Sequence, residues 1–474
     1  MSNLQILGVD VLDVIISFVD GVPDLISLAL TCQWFAAIVI PNHTEYRTIV
    51  VHRLHPGLVS HLADRRDLAR NIRSIQIGRQ LSDFATLERV PARIRDITVT
   101  DAGRYEDNGA IQMAFVRALK NMEFLQDFQW AFAWPKIPLP HLVGVFDTLR
   151  KCVHLRSLSL VAGVSLGPIN GGFSQSPNDD SGWETFPVWQ VSGLQKLSLT
   201  GSIWGREKYG KEIQEWLLRS PDLEHLALHF PTDNIELPDL RFPLLSTVVL
   251  RGSSPAAAQP DEPILRFLAA HPTVTNLTWY PRKDETRFLP GSLPNIANLT
   301  TDADAALALL VDGDPRLRPI ERLYGFQINA SSLDLLRTVN RDHLRCISVR
   351  YDTLDSLKEL ARIFPGITTL GVSNMRLDGL GEWEYPWEEY IDALTHFRNV
   401  HLIRDPGLWR NLQALEQRVM HSPIRDLLER CPSLERIQYN RLDLTNSENV
   451  LSEVVFSHAN GSVSWVEREY INEG

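Results

Sequence analysis

Arginine and tyrosine side chains are the functional groups in this sequence with the clearest pattern, since they recur between apolar residues in its C-terminal half. The set comprises Arg251, Tyr280, Arg322, Tyr324, Arg350, His401 and Arg436. A guanidinium pairs with a carboxylate or a phosphate through two parallel hydrogen bonds, and arginine and tyrosine dominate the centres of protein interfaces. We predict that these residues bind a protein substrate that offers acidic or phosphorylated groups. The alternative, that they are scattered, solvated side chains, stays open for each one.

No signature of an enzyme accompanies these residues. The sequence contains no Walker A glycine run, no Rossmann glycine fingerprint, no H-E-x-x-H and no G-x-S-x-G. Cys32, Cys152, Cys346 and Cys431 are far apart and form no C-x-x-C pair, so neither a zinc site nor a disulfide framework is indicated. A hydrolase would need Ser, His and Asp to meet from distant segments, and no spacing indicates this. We therefore expect no catalytic activity, no metal and no cofactor.

Charge and hydropathy restrict the partners and the compartment. The net charge is −11 and the isoelectric point is near 5.7, which argues against general affinity for nucleic acid. Aspartates at positions 10, 13, 20 and 24 interrupt the apolar run from Val9 to Leu30, so this run predicts neither a signal peptide nor a membrane span. We expect a cytoplasmic or nuclear protein that binds neither membranes nor nucleic acid.

A repeated spacing, apolar-x-x-apolar-x-apolar, predicts the elements that position the arginines and tyrosines. The segment from Ile213 to Leu228 shows the whole unit: a helical spacing, a stop at Ser220-Pro221, and then the period-two pattern of a strand with one buried face. About fourteen copies start at Ile72, Ile94, Leu125, Leu155, Leu194, Leu223, Leu245, Val274, Ile296, Ile320, Leu344, Ile367, Phe397 and Leu434. A unit this short must stack on a copy of itself to bury its apolar face.

This series resembles the leucine-rich repeat, in an irregular form that mostly lacks the usual Asn or Cys after the third apolar position. The resemblance implies an α/β horseshoe-shaped solenoid with a parallel sheet on its concave face. Residues between the apolar strand positions would align there in columns, and the central column would include Gln76, Thr98, Tyr324, His401 and Gln438.

The segment before the repeats has its own helical pattern. It reads Leu7-Gly8-Val9-Asp10-Val11-Leu12, Ile15, Phe18-Val19-Asp20, Asp24-Leu25, Leu28, Leu30, Cys32 and Trp34. This order and spacing resemble the F-box, the helical module that attaches substrate receptors to SCF ubiquitin ligases. Gly8 replaces the usual proline, which helps to start a helix. By this resemblance, the residues that face the Skp-type adaptor are Leu7, Ile15, Leu25, Leu28, Leu30 and Trp34.

Together these patterns predict three parts: an F-box-like module over residues 1–45, an irregular solenoid over 46–440, and a closing strand pair over 441–474 with a turn near Asn460-Gly461. The basic run that includes Arg70 and Arg73 contains Asp64 and Asp67 and is interpreted as a solvated helix face. The resemblance implies an SCF substrate receptor that reaches a cullin scaffold through its adaptor. The alternative is a non-ligase scaffold whose N-terminal helices only cap the solenoid.

Overall fold

The computed structural model describes most of the chain. The described residues are 8–78, 88–95, 108–132, 139–162, 186–201, 203–230, 232, 235–251, 261–281, 288–302, 305–306, 309, 318–337, 343–374, 385–405, 408–416, 422–443, 448–459 and 462–469. They belong to two compact units, residues 1–81 with 86–236 and residues 82–85 with 237–474. The sequence did not predict a division near residue 236. The predicted boundaries at 45/46 and 440/441 stay predictions.

The N-terminal unit begins with helices and continues as strand-and-helix repeats. Its helices are α1 (Val9–Ser17), α2 (Val22–Ala29), α3 (Gln33–Val39), α4 (Glu45–Arg47), α5 (Pro56–Asp64), α6 (Arg66–Ala69), α7 (Asn108–Asn121), α8 (Leu139–Leu149) and α9 (Gly210–Leu218). Its strands are β1 (Thr48–Val51), β2 (Ser74–Ile77), β3 (Asp127–Phe132), β4 (Ser157–Ala162), β5 (Lys196–Thr200) and β6 (His225–His229). Each strand pairs with the next one in parallel.

The C-terminal unit repeats the same plan and ends with an antiparallel pair. Its helices are α10 (Glu262–Ala269), α11 (Ala330–Leu336), α12 (Leu354–Ile363), α13 (Trp387–Thr395), α14 (Leu408–Glu416) and α15 (Pro423–Arg430). Its parallel strands are β7 (Thr247–Leu250), β8 (Asn276–Trp279), β9 (Asn298–Thr300), β10 (Arg322–Ile328), β11 (Cys346–Tyr351), β12 (Thr369–Asn374), β13 (Leu402–Arg404) and β14 (Arg436–Asp443). Then β15 (Glu448–Ala459) and β16 (Ser462–Glu469) pair antiparallel, which confirms the predicted closing strand pair.

The strands have the period that the sequence predicts. In β11, Ile347, Val349 and Tyr351 are buried, whereas Ser348 is half-buried and Arg350 is exposed. Alternate side chains point to opposite faces of a strand, so the apolar set packs into the core and the other set forms what we call the open face of the sheet. The first apolar residue of each repeat, such as Leu223 at 0% exposure, is buried in the turn before its strand. The predicted leucine-rich-repeat fold is confirmed.

Two details of the repeat prediction are wrong, and a third lies outside the described residues. Ser74 of β2 pairs directly with Asp127 of β3, and the strand predicted after Ile94, with Thr98 in its column, falls on residues that the structure does not describe. Strand β1 was missed because its repeat starts with an aromatic residue, Tyr46, which is fully buried. The copy placed at Phe397 starts three residues later, since Ile403 pairs with Ile437. The other copies each precede a strand.

Candidate functional site

Helices α1 to α3 form a small apolar core of their own. Its buried residues are Leu12, Ile16, Leu25, Ala29, Phe35, Ile38 and Val39. On α1 and α2 the buried residues are four apart, as expected for one helix face, and they form an inner stripe. Trp34 and Leu28 pack against this core and are half-buried. Cys32 is the exposed residue before α3.

Both helices also carry a second apolar stripe that faces away from this core. The first stripe consists of Val11 and Ile15 of α1 and of Phe18, which directly follows that helix; the second consists of Ile26 of α2 and of Leu30, which directly follows that helix. All five residues are exposed. The spacings of three and four residues place each set on one side of its helix, next to the buried stripe. We call these five residues the outer stripes. Isolated exposed aliphatic residues are ordinary, but two such stripes on one small module indicate a surface for a partner.

The predicted adaptor residues divide between core and surface. Ile15 is 49% exposed and Leu30 is 81% exposed, so both belong to the outer stripes. Leu25 is 0% exposed, so its assignment to an adaptor-facing surface is wrong. It belongs to the inner stripe of α2, whereas the next residue, Ile26, belongs to the outer stripe. Leu7 lies outside the described residues. Val11, Phe18 and Ile26 were missed, although their spacing from Ile15 and Leu30 could have identified them.

Buried arginines attach the end of α1 to the first repeats. Arg47 is 1% exposed; it donates to the carbonyl oxygen of Val19, and more weakly to those of Asn71 at 3.3 Å and Ile16 at 3.4 Å. Its burial lowers the pKa of Arg47 to about 10. Arg73 donates to the Ser17 carbonyl. The last carbonyls of a helix lack partners within the helix and carry partial negative charge, which explains why cations collect there.

Ion pairs reinforce this attachment from the side of α1. Asp13 lies 2.8 Å from His43 Nε2 and also pairs with Arg70. The His43 hydrogen bond is the main reason why the pKa of Asp13 lies below its usual value. Arg73 also stacks on the ring of Phe124, with 4.6 Å from its Cζ to the ring centroid. The prediction of a solvated basic face is therefore wrong for Arg70 and Arg73.

The predicted substrate residues of the C-terminal unit mostly lie on its open face. Strand pairing aligns Arg322 with Cys346 and Tyr324 with Ser348. Cys346 Sγ donates to Tyr324 Oη at 3.3 Å. Burial raises the pKa of the Tyr324 phenol, and the charges of Arg404 and Arg322 oppose the rise. These side chains therefore form one electrostatic environment across several strands.

Arg404 is a further cation on the open face, and the sequence analysis did not identify it. The register aligns Gly371 with Arg404 and Arg404 with Gln438, so Arg404 occupies the central column assigned to His401. That assignment is wrong, because His401 precedes β13 and lies 3.2 Å from Glu435. A start at Val400 instead of Phe397 would have identified Arg404.

A series of side-chain hydrogen bonds connects Arg404 with β15. Arg404 Nε donates to Gln438 Oε1 at 2.9 Å, and Gln438 Nε2 donates to Glu453 Oε1 at 3.1 Å. Arg436 also lies near Glu453, at 3.7 Å. Glu453 is buried, at 1% exposure, so this carboxylate partly offsets the charge of Arg436 and leaves Arg404 with a neutral hydrogen-bond partner.

Arg251 and Tyr280 directly follow β7 and β8 and are exposed. The tyrosine extends to a β-bulge in β10, where Gly325 adopts φ +86° and interrupts the register between Tyr324 and Phe326. A Cβ atom at Gly325 would lie 2.9 Å from Tyr280 Oη. Bulges frequently redirect side chains next to functional sites, and this bulge lies immediately after Tyr324.

Metal and thiol chemistry receives no support from the described residues. They contain no cluster of three or more His, Cys, Asp or Glu side chains that could hold a metal ion. All four cysteines are free, and burial raises the pKa of both Cys152 and Cys431 to about 11. Within the described part of the chain, no helix has the length and apolar character needed to cross a bilayer.

Comparisons with known proteins give distant structural likeness alone. No family model matches the sequence, and no curated protein matches it either. The solved complex of Rad7 and Elc1 in yeast is similar at 10% identity and a TM-score of 0.36, over 83% of this chain and 76% of that one. The leucine-rich-repeat ectodomain of the receptor kinase GASSHO1/SCHENGEN3 from Arabidopsis thaliana is similar at 14% identity and a TM-score of 0.22, over 69% of this chain and 36% of that one.

Proposed function

We propose that this protein is the substrate-binding subunit of an SCF-type ubiquitin ligase. The outer stripes of α1 and α2 bind a Skp-type adaptor, which connects the chain to a cullin scaffold, and the solenoid binds a protein substrate. The observation that carries this proposal is the exposure of the outer stripes, in a segment whose sequence resembles an F-box. Burial of aliphatic side chains of this size stabilises a complex by about 1.5 to 3 kcal/mol each.

In this proposal the chain has no catalytic role of its own. A recruited ubiquitin-conjugating enzyme would carry the reactive thioester, and the chain would raise the local concentration of substrate lysines near it. The required properties are a rigid scaffold and two separate binding surfaces. The buried arginines at the end of α1 support such rigidity, because they attach the N-terminal helices to the repeats.

A second candidate is a non-ligase scaffold in which α1 to α3 only cap the solenoid. The burial of Leu25 and the attachment through Arg47 favour a capping role for part of this module, since terminal repeats need a covered core. Such a cap does not require the outer stripes to be apolar. The two candidates therefore make different predictions for substitutions on the outer stripes.

The deciding experiment measures capture of a purified Skp-type adaptor by the full chain. We expect Ile15→Glu/Leu30→Glu to weaken the adaptor complex at least about 100-fold, because two buried apolar contacts are replaced by charges. The matched control is Val153→Glu/Leu218→Glu, which places the same charges on exposed apolar residues elsewhere in the N-terminal unit. Equal capture by both double variants, or no capture by the unmodified chain, would overturn the ligase proposal and favour the scaffold.

A further inference from the structure

Strands β10 to β13 concentrate positive charge on the open face of an acidic protein. Their residues include Arg322, Arg350 and Arg404 but no Asp, Glu or Lys, although the whole chain has a net charge of −11. All three arginines are exposed, and none forms an ion pair with a described residue. Arginines that serve only solubility in an acidic protein would be expected near carboxylates, so these three indicate an anionic ligand from outside the chain.

The register places small residues between the arginines. Ser348 pairs with Gly371, and Gly371 pairs with Arg404. A Cβ atom at Gly371 would lie 2.5 Å from Ser348 Oγ, so the hydroxyl covers the glycine and the surface is low there. With neighbouring strands about 4.8 Å apart, the Cα atoms of Arg350 and Arg404 are roughly 12 Å apart on either side of this depression. Two arginine side chains can converge across that span.

The chemistry of the depression favours phosphate over carboxylate. A carboxylate has two oxygen atoms, which one guanidinium fork can occupy. A phosphorylated side chain carries about −1.5 to −2 charge and three strong acceptor oxygens, so one phosphate can contact two guanidinium groups. Two hydroxyl groups lie in the same columns: that of Ser348, and that of Tyr324, which is hydrogen-bonded to Cys346.

We propose that this surface binds a phosphorylated peptide segment of the substrate. The phosphate lies over Ser348 and Gly371 between Arg350 and Arg404, and Arg322 contacts a second anionic or carbonyl group of the same segment. This inference rests on the proposed function, because only that function makes the bound peptide part of a ligase substrate. Binding of the peptide itself does not require an adaptor. It also adds Arg404 to the predicted substrate residues.

Peptide pools test this proposal directly on the full chain. The probes are immobilised degenerate nonapeptides with a fixed central phosphoserine, serine or glutamate. We expect the phosphoserine pool to retain at least about 10-fold more protein than the other two pools, and less at higher salt because exposed charges are screened. Arg322→Gln/Arg350→Gln/Arg404→Gln should abolish this preference. Arg350→Gln alone should reduce it about 5-fold or more, which keeps the test valid if the triple variant misfolds.

The matched control is Arg362→Gln/Arg398→Gln/Arg425→Gln, which removes the same charge from exposed positions outside the strands of the same unit. It should keep the preference for phosphoserine. Equal retention by the three pools, or an equal loss in both triple variants, would overturn the proposal. Adaptor capture measured on the same samples separates the two proposals. Intact capture without a phosphoserine preference overturns this inference alone. A phosphoserine preference without adaptor capture overturns the ligase function alone.

Discussion

In the N-terminal unit, Arg47 and Arg73 are buried and donate to the carbonyl oxygens at the end of α1. In the C-terminal unit, Arg322, Arg350 and Arg404 are exposed on the open face and have no carboxylate partner among the described residues. The same side chain therefore has a structural role in one unit and is available to a ligand in the other. What distinguishes the two is whether the fold supplies acceptors for the guanidinium donors.

The strongest test of this contrast is Arg47→Met. We expect a loss of about 3 kcal/mol in the free energy of unfolding of the N-terminal unit, because the carbonyl oxygens of half-buried Val19 and buried Asn71 would lose their donor. Hydrogen exchange of the amides in α1 to α3, together with thermal unfolding, measures this effect. Arg350→Met is the control and should change stability by less than about 0.5 kcal/mol. Equal losses for the two variants would contradict the distinction.

A second test concerns the backbone beneath the open face. Gly325→Ala should destabilise the C-terminal unit by about 1 to 2 kcal/mol, because its φ of +86° disfavours a side chain and the new methyl would displace Tyr280. Gly291→Ala separates these causes, since Gly291 has φ +74° but nothing within 4 Å of the added atom. Thermal unfolding should show the smaller loss for Gly291→Ala. Reduced retention on the phosphoserine pool is expected only for Gly325→Ala.

The smallest expected effect is the pH dependence of the attachment of α1. The folded pKa of Asp13 lies below 3.8, so its stabilising contribution is complete above that pH and disappears as the pH falls through the lowered value. Asp13→Asn should therefore cost about 1 kcal/mol at pH 7, and this cost should shrink as the pH falls below 3.8. Melting temperatures across this range measure the difference. Asp222→Asn, at an exposed position, is the control, and an equal trend in both variants would count against the Asp13 contacts.

The repeats could be predicted because their signal is local. Leu223 to Leu228 shows it well, since three buried leucines at fixed spacing define both the turn and the strand that follows. Errors arose where two overlapping sets of residues fit the repeat spacing, as from Phe397 to Ile403. Only the pairing of β13 with β14 shows which residue starts that repeat.

The arginines show more clearly what the sequence could not predict, which is whether a charged side chain is buried. Arg73 and Arg350 are both charged residues beside apolar ones, and nothing within a few positions of either one predicts its burial. The acceptor of Arg73 is the carbonyl of Ser17, which is 56 residues away in the chain. The outer stripes, by contrast, follow from helical spacing alone, so Val11 and Ile26 were predictable residues that the adaptor-facing set did not include.

The four thiols differ enough in environment to make this protein a convenient subject for site-selective labelling. Cys32 is exposed at the start of α3, whereas Cys346 is buried, and the pKa of about 11 for Cys152 and Cys431 leaves very little thiolate at neutral pH. A maleimide dye at pH 7 should therefore react first at Cys32, two residues after Leu30 of the outer stripes. The unmodified chain thus provides an attachment point for a fluorescent reporter of adaptor binding, without an engineered cysteine.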